Sequence, residues 1–191
     1  DSKEWLERPG PVGKGVRGTV IEIHDEDGSV VGPHENGDIY VHSEIATDFD
    51  YHNHPEDRQA MQRGDFMTSG DIGYLDEEGF LFITGRRKDM IISGGVNIYP
   101  AEIESVLMAH PGIADCAVFA LPDEEFGEQV AAAIQPVNDC EVTEGEIRTF
   151  LDGKLARFKM PRTMSFHDSL PRLDNGKVYK LGLRAGSSTR S

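Results

Sequence analysis

Three short runs hold side chains whose type and spacing can do chemistry. In Thr68-Ser69-Gly70-Asp71 a carboxylate stands beside a glycine. A carboxylate fixed in this way accepts hydrogen bonds from both hydroxyls of a diol, or it simply caps a turn. In TGRRKDMIISGGVNIYPAEIE, residues 84–104, the charges Arg86-Arg87-Lys88-Asp89 run into the apolar Met90-Ile91-Ile92 and then into Gly94-Gly95. The Arg86 fork of donors suits a phosphate or sugar oxygen. The glycine pair admits a backbone conformation, or a close ligand approach, that a Cβ would block; the plainer reading is a glycine turn. In Pro171-Arg172-Leu173-Asp174-Asn175-Gly176-Lys177 a compact ammonium follows a glycine on a loop. It can reach an anion there, or stand as an ordinary surface lysine.

Other runs imitate sites. Gly13-Lys14-Gly15-Val16-Arg17-Gly18 fits G-x-G-x-x-G, but a dinucleotide site needs a strand before it and a helix after it. Here a loop precedes and a strand pattern follows, so the glycines are expected to serve turns. His52 and His54, with Glu56 nearby, lack a third well-placed ligand, and no metal site is assigned. Cys116 sits in an apolar run and reads as a small core residue. Asp123-Glu124-Glu125 reads as solvated surface.

The totals restrict the partners. A net charge of −15 repels phosphate backbones and argues against nucleic acid. No apolar run is long enough to span a membrane, and no basic-then-apolar segment opens the chain. Cys116 and Cys140 show no CxxC spacing, which fits reduced thiols in a cytoplasmic setting. Charge is unevenly spread: residues 1–84 hold 6 basic against 19 acidic side chains, whereas residues 148–190 hold 10 against 3. That basic end fits either a local site for a small anion or a solvated basic surface.

The elements that must position these residues change character along the chain. GTVIEIHDEDGSVV reads as a hairpin with its turn at Asp27-Gly28, GDIYVHS as a strand, and HPEDRQAMQR as a short polar helix with Pro55 near its start. FMTSGDIGYLDEEGFLFITG reads as a meander turning at Glu77-Glu78-Gly79. From Ile98 the period lengthens. Pro100 opens a helix whose apolar face is Ile103, Val106 and Leu107, ended by Pro111. DCAVFALP and EQVAAAIQPV are buried-strand runs. Thr143-x-x-Glu146 is a capping box, with Val142 and Ile147 as its apolar staple. The helix after it is expected to carry Ile147, Phe150, Leu151, Leu155 and Phe158 on one face, with Gly153 inside. A strand (TMSFH) and a basic helix around Lys180–Arg184 follow. The fold class is α+β, and the switch near residues 85–95 marks a domain boundary.

Taken in this order and at these separations, SGDIGYLDEEGFLFITGRRKDMIISGGVNIYPAEIE, LARFKMP and LPRLDNGKVYK resemble the adenylate-forming superfamily. That superfamily includes acyl-CoA and aryl-CoA synthetases, peptide-synthetase adenylation domains and luciferases. The likeness is strongest to bacterial fatty-acyl and related acyl-CoA ligases, whose SGG-x-N-x-YP-x-E-I-E pattern appears almost letter for letter. It covers nearly the whole chain and is weaker over residues 1–60.

The resemblance implies an architecture: residues 1–85 as the terminal β subdomain of a large domain's β-barrel, and residues 86–191 as a small mobile α+β domain with a short mixed sheet flanked by helices. It implies ATP/AMP, CoA and Mg2+ as cofactors and a small-molecule carboxylic acid as substrate. Asp71 would bind the ATP ribose hydroxyls and Arg86 the ribose or phosphate. Lys88 would be the hinge about which the small domain rotates between half-reactions. Ser93, Gly94 and Gly95 would line the pantetheine channel of CoA. Lys177 would be the catalytic lysine between the carboxylate and the α-phosphate. Leu173 departs from relatives that carry Thr there, and leaves the Gly176-Lys177 pair intact. The upstream phosphate loop (TSGTTGxPKG type) and YGxTE segment do not occur in these residues. The expectation is therefore a C-terminal fragment that turns over no substrate alone and associates with itself through surface left by the missing domain. The alternatives are an acyl-AMP ligase that loads a carrier protein and a free-standing nucleotide- or CoA-binding module.

Overall fold

Ile21 and Ile23, two residues apart, give β1 (Thr19–His24) one apolar face, and it pairs along its whole length with β2 (Gly37–Ser43), from Thr19↔Ser43 to His24↔Asp38. A computed structural model describes residues 12–44, 61–138, 140–174 and 176–187. The chain divides into two compact units, residues 1–88 and 89–191.

Among the described residues of the first unit every strand pairing is antiparallel. β2 continues into β4 (Phe66–Leu75), which also pairs with β3 (Gln62–Arg63) and β5 (Leu81–Arg86). Ile23, Ile39 and Leu81 form its core, with Ile21, Val31, Val41 and Leu75 against them. Two expectations change. The turn at Asp25–Ser29 forms, but its second strand shrinks to one bridge, His24↔Val30. Gly32-Pro33 interrupts that run and Pro33 has no N–H for a ladder, so β1 takes β2 as its partner. The polar helix around Pro55 falls mostly outside the described residues; Met61 is helical as expected, and the last two residues, Gln62–Arg63, are strand instead. The G-x-G-x-x-G run leads into β1, with Gly13 bridged to Leu81, and no helix follows it.

The second unit is built on β8 (Ile113–Asp123) and β9 (Gly127–Pro136), a long antiparallel hairpin buried on both faces. Alternate residues serve opposite sides, as strand pleating requires. Val118, Ala120, Val130, Ala132 and Ile134 face α1 (Pro100–Met108) and α2 (Glu144–Leu151), meeting Ile103, Leu107, Ile147 and Leu151. Ala117, Phe119, Leu121, Ala131 and Ala133 face Leu170 and Leu183, the latter on α3 (Lys180–Ser187). β10 (Thr163–Phe166) lies parallel to β9, while β6 (Ile91–Ser93) and β7 (Val96–Ile98) add antiparallel pairs. The sheet is thus mixed and flanked by helices, the α+β arrangement expected. No described helix is long and apolar enough to cross a membrane.

α2 starts where the capping box puts it. Thr143 Oγ1 accepts from the Glu146 N–H at 3.3 Å, and Glu146 Oε2 accepts from the Thr143 N–H at 2.9 Å. It stops sooner than the apolar spacing implies. Gly153 lies at φ +72, a left-handed conformation that closes the helix instead of continuing it. Leu155 still reaches the core, but Phe158 is turned out and 54% exposed.

Cys116 is a core residue as expected, 7% exposed, and burial first, then the charges of Glu104 and Asp115, pushes its thiol up to about 12. The folded state therefore keeps a proton that the unfolded chain releases above an ordinary thiol pKa of about 8.5. The sign follows: this contribution is complete below that value and is lost as pH rises towards the folded one. At pH 8 a thiol-reactive dye should label exposed Cys140 in the native chain and both cysteines only after unfolding. Equal native labelling of the two would contradict this burial.

Candidate functional site

In the first unit the register of β4 with β5 sets Asp71 opposite Arg86. Asp71 lies inside β4 and not at a strand start. Arg86 Nε donates to Asp71 Oδ1 at 3.1 Å, and Ser69 Oγ donates to Oδ2 at 2.6 Å. Each oxygen is oriented by one donor and keeps acceptor capacity, since a carboxylate offers about four lone-pair sites. The bond uses one of the five guanidinium donors of Arg86. Both side chains reach solvent, at 21% and 45% exposure.

Arg87, to which the sequence pattern assigns no role, is the firmest anchor in the charged run. Its Nε donates to Asp38 Oδ1 at 2.7 Å and its Nη2 to Oδ2, a bidentate pair with a carboxylate that is 10% exposed. The Asp38 hydrogen bond, outweighing partial desolvation, raises the guanidinium above its ordinary value. Nothing near Arg87 in the chain points to Asp38; only the β2–β4–β5 register brings them together. Lys88 follows in the short 3-10 turn Arg87–Asp89, and the two units divide after it.

In the second unit Gly94 and Gly95 are the loop of the β6–β7 hairpin, closed by the Ser93↔Val96 pair. Their φ values, +58 and +79, are those of the two-residue turn whose twist matches its strands. The Gly94 N–H donates to the Phe126 carbonyl at 2.9 Å, and a Cβ on Gly94 would come within 3.0 Å of the Phe126 ring. So the pair is required by the turn itself, whatever passes over it.

That hairpin forms one wall of a groove of about 740 Å³, which also takes in Phe126, Arg157, Phe158 and Arg162. The segment 157–162 is held from behind. Arg148 on α2 donates to the carbonyls of Pro161 and Arg162, both at 3.1 Å. Lys159 turns away to both carboxylate oxygens of Glu102 at 2.7 Å. These anchors leave Phe158 facing out. Arg162 lies over the Phe126 ring at 4.5 Å and donates to Asp123 Oδ2 at 3.2 Å.

Asp123 corrects the solvated-surface reading. Its Oδ1 accepts from the N–H groups of Phe126 at 2.9 Å and Glu125 at 3.1 Å, and so shapes the β8–β9 turn. Those bonds, Phe126 first, with Arg162 adding, hold its carboxyl below the ordinary carboxylate range. The signal was available: an aspartate with glycine four residues later, between two apolar runs, is a turn pattern.

Lys177 lies elsewhere in this unit, exposed, on a small turn closed by the Arg172↔Val178 bridge. Arg172 ties that turn to Asp115 near the start of β8, whereas Asp123 and the groove are at the end of β8. The two anchors are eight residue steps apart along the strand, roughly 27 Å. The structure thus groups Ser93, Gly94 and Gly95 in one place and sets Lys177 at the other end of the same strand. His52, His54 and Glu56 lie outside the described residues, and among the described residues no three His, Cys, Asp or Glu side chains gather to hold a metal ion.

Residues 102–177 match the family described as AMP-binding enzyme C-terminal domain. The chain is 43% identical over 184 residues to the long-chain-fatty-acid–CoA ligase FadD13 of Mycobacterium tuberculosis, covering 96% of this chain and 36% of that protein. It is 41% identical over 179 residues to the 2-succinylbenzoate–CoA ligase of Bacillus thuringiensis, covering 94% and 36%. Among solved structures it is similar to ATP-bound MatB from Rhodopseudomonas palustris, with a TM-score of 0.86 at 38% identity over 95% of this chain and 36% of that one. It is also similar to the o-succinylbenzoate CoA synthetase of Bacillus subtilis in complex with its acyl-adenylate intermediate, with a TM-score of 0.84 at 35% identity over 99% and 37%. The chain spans little more than a third of the length of these relatives.

The groove wall can be checked through Asp123. A carboxylate held low supports its turn above the ordinary aspartate value of about 3.9 and loses that support as pH falls through the lowered one. The amide resonances of Glu125 and Phe126 should therefore titrate together with a midpoint below 3.9, roughly the model-peptide value. A midpoint at or above it would show that the two N–H bonds do not hold in solution.

Proposed function

We propose that this chain, which belongs to the adenylate-forming superfamily through its AMP-binding C-terminal domain, serves both half-reactions of an ATP-dependent acyl-CoA ligase. In the first, a carboxylate oxygen attacks the α-phosphorus of ATP, giving acyl-AMP and pyrophosphate. In the second, the CoA sulfur attacks the acyl carbon and AMP leaves. The observation that carries the reading is the separation just described: an exposed lysine at one end of β8, and a glycine hairpin opening on a cationic groove at the other.

The two ends suit different chemistry. An ammonium is a compact charge that stabilises the oxygens around a phosphorus as negative charge develops. Lys177 takes that role between the acid and the α-phosphate. Asp71 receives the ribose hydroxyls, held in place by Arg86 and Ser69. The magnesium accompanies the nucleotide; the described residues offer no acidic cluster for it, and no step here is routed through it.

CoA is a neutral pantetheine arm joined to a phosphorylated nucleotide. The groove lining holds groups of each kind: a side-chain-poor wall at Ser93 and Gly94, the cations Arg157 and Arg162, and the exposed Phe158 ring on which a base can stack. Groups held at opposite ends of one strand, on anchors roughly 27 Å apart along it, do not both meet one acyl carbon. The unit must therefore present one end and then the other, turning about the chain segment at Lys88, just beyond the clamped Arg87.

A carrier-protein acceptor is the second reading, because a phosphopantetheine arm alone also fits the glycine end. The Arg157–Phe158–Arg162 face favours free CoA, which brings its own nucleotide.

The half-reactions separate the roles in the full-length enzyme that carries this chain, supplied with a panel of fatty and aryl acids. Lys177→Ala should lower acid-dependent pyrophosphate release on the order of a hundredfold or more and leave thioester formation from supplied acyl-AMP near wild type. Arg157→Ala with Arg162→Ala should do the reverse, raising the KM for CoA about tenfold with pyrophosphate release intact. Equal loss of both half-reactions in either variant, or no acid-dependent pyrophosphate release with any acid, would contradict the assignment.

A further inference from the structure

An ammonium on an exposed turn makes a poor catalyst unless the turn is stiff, because its position must be set before the charge develops. Lys177 lies in such a turn, so what holds the turn matters. Three backbone bonds close it: the Leu173 N–H donates to the Lys177 carbonyl at 2.8 Å, the Gly176 N–H to the Leu173 carbonyl at 2.8 Å, and the Tyr179 N–H to the Pro171 carbonyl at 2.7 Å. None of them ties the turn to the body of the unit.

Arg172 does. Its Nη1 donates to the Gly176 carbonyl, which belongs to the peptide group immediately before Lys177. Its Nη2 donates to Asp115 Oδ2 on β8. Asp115 is itself fixed, since its Oδ1 accepts from the Cys116 N–H at 2.8 Å, and Cys116 is in the core. A second tie stands just past the lysine. Lys180 Nζ donates to Glu104 Oε1 at 2.9 Å, and the same oxygen accepts from the Val118 N–H on β8 at 2.8 Å. The carbonyls on both sides of Lys177 are thus held, one by Arg172 and one by Leu173, and the turn is tied to β8 at each end.

We infer that Arg172, braced by Asp115, is a positioning residue for the adenylation step: it grips the Gly176–Lys177 peptide and so sets where the Lys177 ammonium points. This rests on the adenylating role given to Lys177 above. Arg172 touches no reacting group in this scheme. A planar fork is what the job requires, because two acceptors in different directions must be held at once, and a lysine ammonium on a flexible stem does this less well.

The test uses the full-length enzyme that carries this chain, with dodecanoate or the best acid of the panel. Pyrophosphate release and thioester formation from supplied acyl-AMP are measured separately. Arg172→Ala should lower the kcat of pyrophosphate release roughly tenfold to a hundredfold, with the KM for ATP changed by less than about threefold and the thioester step intact. Arg172→Lys should recover part of the loss, and Asp115→Asn should reproduce part of it. In the 191-residue chain itself, Arg172→Ala should speed amide exchange at Gly176 while leaving the core amides of β8 protected.

A folded Arg172→Ala enzyme with wild-type pyrophosphate release, beside an inactive Lys177→Ala enzyme, would overturn the positioning role and leave the adenylating role standing. Full activity in Lys177→Ala would instead overturn the reading beneath it. Equal losses in both half-reactions would also overturn the proposal, since positioning of one lysine cannot produce them. Should Arg172→Ala fail to fold, Arg172→Lys and Asp115→Asn decide: wild-type pyrophosphate release in both overturns the proposal, and a selective loss supports it.

Discussion

The second unit depends on one constraint: β8 and β9 are apolar on both faces, and neither face can be left to water. Phe119, Val118, Ala132 and Ile134 are each no more than 1% exposed. Fully burying a side chain of the larger kind contributes about 1.5–3 kcal/mol, so two layers of cover are strongly favoured. α1 and α2 supply one layer, and α3 with Leu170 supplies the other. Once both faces are closed, only the two ends of the hairpin remain for polar work. The groove sits at one end and the Lys177 turn at the other, so the separation of the two features follows from how the core is covered.

The basic tail takes on a different meaning in this setting. Five of its ten cations are tied to acidic partners of the same unit: Arg148 to Glu144, Lys159 to Glu102, Arg162 to Asp123, Arg172 to Asp115 and Lys180 to Glu104. Exposed pairs of this kind contribute at most about 1 kcal/mol each to stability. Their value is geometric. They hold the 157–162 segment and the Lys177 turn in fixed places, and they leave Arg157 and Phe158 as the groove's outward members.

Much of this was legible in the residues, where local chemistry decides the outcome. The capping box at Thr143, the start at Pro100, the buried runs of β8 and β9 and the core position of Cys116 all rest on neighbours close in the chain. What was not legible depends on register or on distant partners. Arg87 stands between Arg86 and Lys88 and looks equivalent to them, yet it alone meets Asp38, 49 residues away. Phe158 keeps the spacing of an apolar helix face, but Gly153 ends the helix first and the same ring becomes part of a groove wall. Gly94-Gly95 was readable as a close-approach site or as a turn; the hairpin gives the turn a sufficient cause and leaves the approach to the ligand's own chemistry.

The proposed function turns on movement: one unit presenting two ends in turn, with a proposed pivot at Lys88, the residue after the clamped Arg87. Proline fixes φ near −65° and takes away that freedom. The most direct measurement is Lys88→Pro in the full-length enzyme, with the two half-reactions followed separately. The account predicts that one half-reaction, the one whose arrangement the fixed φ still permits, stays within about threefold of wild type while the other falls at least tenfold, roughly the span expected when a required conformational step is blocked. Both half-reactions proceeding at wild-type rates would contradict it, because the two ends of β8 would then be working without the turn that brings each to the acyl carbon.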